Sequence, residues 1–171
     1  MPEMASIENY RLWYAHECDA NAKMLAMIRG VPEGARADGR YGRALALAAH
    51  LAACRENFLA SLSGSGERFG PWWPEPPDLD ELERRFAKIQ DRWTAYLDSL
   101  TDAALDASFE FEDNGYRFAG HVEDQIMQLA FHAFYHRGQV VQLVDQLGGE
   151  TVDTDYIDWI IPQRPDRWHA V

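Results

Sequence analysis

A chain of 171 residues that is 47% hydrophobic, with six tryptophans and eight phenylalanines, can bury one substantial core and is short for two, so a single domain over residues 1–171 is expected. Its net charge of −12 excludes nucleic acid and anionic membranes as natural partners, because both depend on clustered Lys and Arg, and the densest basic pair, Arg84-Arg85, sits among acidic residues. Cys18 and Cys54 are too few and too far apart for a disulfide framework, Met1-Pro2-Glu3-Met4 lacks the basic and apolar regions of a signal peptide, and no apolar run approaches the ~20 residues of a membrane span; a cytoplasmic address is expected.

In chain order, the first predicted helix runs from about Ser6, a suitable N-cap, to Arg29, with Tyr10, Trp13, Tyr14, Met24, Leu25 and Ile28 at helical spacing. Gly30, Pro32 and Gly34 stop it. The second, alanine-rich, runs from about Arg43 to Leu62 and ends at Ser63-Gly64-Ser65-Gly66. The loop that follows, Glu67 to Pro77, carries the adjacent Trp72-Trp73, which read first as a lid on the core and second as the wall of a pocket. Asp78 and Glu81 form a capping-box pattern for a third helix, whose Leu79, Leu82, Phe86, Ile89, Trp93, Tyr96, Leu97 and Leu100 make one apolar face. Phe109 and Phe111, then Tyr116 and Phe118, alternate with polar residues around Asn114-Gly115, which predicts a β-hairpin. A fourth helix is expected from about Gly120 to Leu147, ended by Gly148-Gly149, and a short helical turn near Thr154 to Ile161. The fold class is therefore all-α: a four-helix bundle with a small β-hairpin between helices 3 and 4.

The chemistry concentrates in the fourth helix. His132 and His136 are four residues apart, which stacks their imidazoles one turn apart on one face. At 100° per residue, His121, Gln125, Gln128, His132, His136 and Gln139 fall within roughly 80° of one another, a polar stripe flanked by apolar residues. Such groups need partners when buried, and a lined internal site supplies them. His121 lies about three turns, ~16 Å, from His132 and is too distant to share an ion. His50, between Ala49 and Leu51 on the second helix, is the third candidate ligand, against the alternative of a core histidine bonded to a carbonyl. Cys54, one turn on, reads first as a small buried hydrophobe and second as a softer fourth ligand. His16, beside Glu17, and His169, in the tail, read as surface residues.

These residues resemble a known pattern. His132-Ala133-Phe134-Tyr135-His136-Arg137-Gly138-Gln139 is similar to the HxxxHRGQ signature of the DinB-like superfamily of metal-binding four-helix bundles; His50, Asn21, Leu147-Gly148 and Thr154-Asp155-Tyr156 fall where that family carries similar residues. The resemblance covers nearly the whole chain. It implies a divalent metal held by His50, His132 and His136 at a cleft, and relatives that add low-molecular-weight thiols such as bacillithiol, mycothiol or glutathione to electrophiles or isomerise their adducts. The family's name refers to induction by DNA damage, not to DNA binding.

Three neutral imidazoles leave the ion's charge uncompensated and a coordination position open, as in catalytic rather than structural sites. The leading expectation is an enzyme, a thiol transferase or a hydrolase, activating a small thiol or water against an electrophile; which residues act in catalysis is unknown at this stage. Nitrogen ligation suits zinc, nickel, copper and iron; zinc or nickel is expected first, with manganese or iron as alternatives. Asn21, Gln128 and Gln139 are candidates to orient ligands or substrate. Arg137 reads either as a carboxylate binder or as half of a surface pair. The alternatives are a non-catalytic metal- or ligand-binding module, such as a stress sensor, and a plain interaction bundle with buried histidines. A homodimer is compatible with a small aromatic-rich bundle.

Overall fold

The computed structural model describes residues 6–65, 67 and 70–167. Four long helices carry the fold: α1 (Ile7–Arg29), α2 (Gly39–Leu62), α3 (Leu79–Ser99) and, after a short α4 (Asp102–Leu105) and a hairpin of β1 (Ser108–Asp113) and β2 (Tyr116–His121), α5 (Val122–Gln146). A short α6 (Tyr156–Ile160) follows. The expected all-α bundle with its hairpin is what forms. Ser6 caps α1 by accepting from the Glu8 amide, and Asp78 caps α3 by accepting from the Glu81 amide at 2.8 Å. Asn114 and Gly115 both take positive φ, 51° and 79°, as the tight hairpin turn requires. Gly148, φ 74°, ends α5 in the left-handed conformation that side chains avoid.

The boundaries differ in two places. α2 begins at Gly39, not near Arg43, because the Asp38 carboxylate accepts from the Arg40 amide at 2.9 Å and offsets the poor helix propensity of Gly39 and Gly42. α5 begins at Val122, because Gly120 and His121 still pair with Phe109 and Ser108 in the hairpin. His121 is thus a strand residue, its Nδ1 2.8 Å from the Asp106 carbonyl, and not part of the helical polar stripe.

α1 packs against α3 and α5, and α2 packs against the same two helices, so α1 and α2 sit at opposite corners of the bundle. Ala44, Ala48, Ala49, Ala52 and Ala53 are buried along α2 and let α5 approach closely. Trp93 lies fully buried, its indole N–H donating to the Arg55 carbonyl at 2.9 Å. The hairpin leans on α2 through Phe111, whose ring meets Phe58 edge-on at 5.3 Å; Tyr116 and Phe118 stay exposed.

Charged residues also enter the core. Glu17 and Arg55 are both buried and form a two-point ion pair, and the Arg55 guanidinium lies over the rings of Trp93 (4.8 Å) and Tyr14 (5.4 Å). Arg137 is neither a surface partner nor open to a carboxylate: it is 1% exposed, donates from Nη1 to Asn21 Oδ1 at 3.1 Å, and stacks over Phe134. His16 is likewise not a surface residue. The segment after α5 folds back over α1, so Phe134, Tyr156 and Trp159 close around the ring, whose Nε2 lies 3.0 Å from the Thr154 carbonyl. His169 and Gly66 lie outside the described residues. Among the described residues, no helix is long and apolar enough to cross a membrane.

Candidate metal centre

His50 projects from α2, and His132 and His136 from α5, at the tightly packed seam between these helices. Their ring nitrogens converge. His50 Nε2 lies 3.2 Å from His132 Nε2, and His136 Nε2 lies 3.0 Å from the same atom. Both separations are close to the ~3.3 Å between two nitrogens bound to one tetrahedral ion at about 2.0–2.1 Å.

The surrounding hydrogen bonds say which nitrogens carry protons. A carbonyl oxygen only accepts, so the 2.5 Å contact of His50 Nδ1 with the Trp72 carbonyl places the ring proton on Nδ1. His136 Nδ1 similarly donates to Gln139 Oε1 at 2.7 Å. In the neutral rings, Nε2 of His50 and of His136 is therefore a bare lone pair. His132 Nε2 can offer a proton to one of them and not to both. At least one contact of about 3 Å is then left with no proton along it, an arrangement that a shared cation relieves. The donor set fits a divalent transition metal.

Burial keeps the His50 and His132 rings in the neutral form that binds metal. Desolvation pushes His50 below the ordinary imidazole range, helped by the neighbouring His136 and Arg43 and opposed by the Trp72 carbonyl. Desolvation, with His136, His50 and Arg55 nearby, pushes His132 down to about 4. Cys54 packs in the core as expected of a small hydrophobe, yet its sulfur lies 3.7 Å from both nitrogens of His50. Among the described residues, His50, Cys54 and His132 can bring one ligand atom each within 4.8 Å of one another, so a cysteine joins the cluster of potential ligands. Burial pushes the Cys54 thiol up to about 12, so without an ion it stays protonated.

The cluster opens on a cavity of about 450 Å³ between α2, α5, the hairpin and the loop before α3. Both readings of Trp72-Trp73 hold in part: Trp72 packs against the core, and both indoles wall the cavity. The loop crosses the mouth of the site because the Trp72 carbonyl takes the His50 proton and its indole N–H donates to Asp113 Oδ1 at 2.9 Å. Trp73 stacks face to face on His50 with centroids 3.7 Å apart. Gln128 lines the cavity, Gln139 orients His136, and Asn21 holds Arg137 without touching a histidine. Behind the cluster, a void of about 10 Å³, room for one water, lies among Glu17, Asn21, Cys54, Arg55 and His132. Asp113 and the phenylalanine walls escaped the sequence reading; Trp72-Trp73, read second as the wall of a pocket, were the one signal pointing to this side of the site.

The family model described as DinB family matches residues 4–167. No curated protein and no solved structure matches the chain.

Proposed function

The chain belongs to the DinB family, and we propose that it is a metal-dependent enzyme in which His50, His132 and His136 hold one divalent transition metal and a small thiol or water attacks an electrophile in the adjoining cavity. The observation that supports this reading is that His132 Nε2 lies 3.2 Å from His50 Nε2 and 3.0 Å from His136 Nε2, the latter two stripped of protons by fixed partners. Zinc or nickel suits an imidazole set best, with manganese or iron as alternatives, and Cys54 is a fourth donor within reach.

When bound, such an ion lowers the pKa of a coordinated thiol or water into the neutral range. The protein's own contribution is orientation and exclusion of water. The Trp72 carbonyl and Gln139 hold two rings in the ligating tautomer. Phe58, Trp72 and Phe111 wall the cavity with apolar surface, and Gln128 offers an amide to the second reactant. A structural role for the ion is disfavoured, because α2 and α5 already pack through a continuous apolar core. A cytoplasmic address and a homodimer belong to the same proposal. The dimer is supported by exposed Phe131 and Tyr135 on an outer face of α5 that presents no charged side chain between Asp124 and Asp145, Arg137 being buried.

The test is elemental analysis of protein purified without an affinity tag, beside His132→Ala. About one equivalent of metal is expected in the parent and a large loss in the variant. Helical circular dichroism should be kept in both, and chelation should leave the bundle folded. Absence of stoichiometric uptake on dialysis against zinc or nickel would overturn the proposal. A thiol-dependent turnover screen of the loaded protein then separates transferase from hydrolase.

A further inference from the structure

The cavity beside the histidines has an unusual wall. Phe58, Trp72, Trp73, Phe111 and Phe118 all line it, and Phe111 and Phe118 stack across the hairpin at 5.0 Å. Among the described residues that line it, Asp113 is the one carboxylate, and there is no lysine or arginine. Asp113 is held in place, its Oδ1 accepting from the Trp72 indole at 2.9 Å and its Oδ2 from Asn114 Nδ2 at 3.1 Å.

The nearest cations face elsewhere. The Arg43 guanidinium lies 5.1 Å from the Trp73 ring centroid and is not among the residues that line the cavity. Arg117 pairs with Glu110, and strand alternation puts both on the opposite face of the hairpin from Phe111 and Phe118. Before metal binds, a carboxylate entering here finds a like charge and, among the described residues lining the cavity, no lysine or arginine. A cation finds that carboxylate beside an aromatic wall, surroundings that suit an organic ammonium group.

We propose that this cavity selects a small organic cation: a flat apolar body between the aromatic walls, with a positively charged nitrogen toward Asp113 and the reactive end toward the histidines. The charge preference stands on the cavity alone; that the bound molecule is the reactant rests on the metal-centre reading above.

Three probes of one shape test it: 2-phenylethylamine, 2-phenylethanol and 3-phenylpropionate, titrated into the metal-stripped full chain by calorimetry or ligand-observed magnetic resonance. The amine is expected to bind about tenfold or more tighter than the acid, with the alcohol between them. Asp113→Asn keeps an acceptor for Trp72 and should narrow the gap to about threefold or less, while Phe118→Ala should weaken all three together. Circular dichroism checks that both variants fold. Equal or tighter binding of the acid, an unchanged gap in Asp113→Asn, or no binding of any probe would overturn the proposal. Zinc stoichiometry is measured separately, so a chain that prefers the amine yet takes up no metal keeps this inference and loses the metal centre.

Discussion

The indole of Trp73 lies flat against the imidazole of His50, with planes 2° apart, while the carbonyl of the preceding Trp72 takes the proton from the same ring. Two consecutive loop residues thus fix one histidine, one by stacking and one by hydrogen bonding. Trp73 is 48% exposed, so its removal should leave the core intact. Stacked aromatic pairs contribute about 0.5–1.5 kcal/mol beyond burial. Trp73→Ala should therefore weaken metal affinity about two- to tenfold, read by competition with a chromogenic chelator, with the thermal transition of the metal-free protein nearly unchanged. An unaltered affinity would remove Trp73 from the metal centre.

Gln139 does the corresponding work for His136 from within α5, one turn along the helix at 2.7 Å. Losing such an outer partner typically costs about 10–100-fold in metal affinity. Gln139→Leu should show that loss. Gln139→Glu keeps an acceptor, strengthens the basicity of the ring and should bind at least as tightly as the parent. If Leu and Glu behave alike, the orientation of His136 does not depend on this bond.

The contrast between these two supports shows what was legible in the sequence. Gln139 lies three residues from His136 on a helix whose period is readable, so its neighbourhood follows from spacing alone. Trp73 and Asp113 reach His50 and Trp72 only because a loop without periodicity crosses the bundle and a hairpin folds under it; no local pattern encodes either contact. The same holds for the buried charges. Glu17 reads as a polar neighbour of His16 until α2 brings Arg55 against it, and His16 reads as solvated until the segment around Thr154 covers it. Periodicity reports which face of a helix is apolar, but a polar residue buried by a distant partner looks the same as one left in water.

Breaking the Glu17–Arg55 pair should be costly in a way its replacement need not be. Both side chains are 5% exposed, and Arg137 adds a second buried guanidinium nearby. Removing the carboxylate leaves uncompensated positive charge in the core, a penalty of about 3–5 kcal/mol for a buried pair. Glu17→Gln should lose about that much in urea unfolding. Glu17→Met combined with Arg55→Met should recover most of it. If Glu17→Gln costs under about 1 kcal/mol, water already screens the pair, and the small void between Arg55 and His132 is the route by which it enters.

His16 gives the fold a pH dependence separate from the metal centre. Burial holds its imidazole below the usual value of 6.5, with Arg137 adding to the effect; the Thr154 carbonyl, Asp19 and Glu17 act the other way. In the unfolded chain the ring titrates near its ordinary value. As the pH falls through about 6.5, the unfolded state takes up a proton that the folded state refuses, so stability declines until the folded-state pKa is reached. His50 and His132 are also held down by burial and contribute slope to the metal-free protein. Comparison with His16→Gln, which keeps a donor for Thr154, isolates the His16 share. Urea unfolding at pH 7, 6 and 5 should give the parent the steeper decline, by up to about 1.4 kcal/mol per pH unit. Equal slopes would mean that His16 protonates as readily inside its aromatic enclosure as in water, and that the segment from Thr154 to Trp159 opens readily from α1.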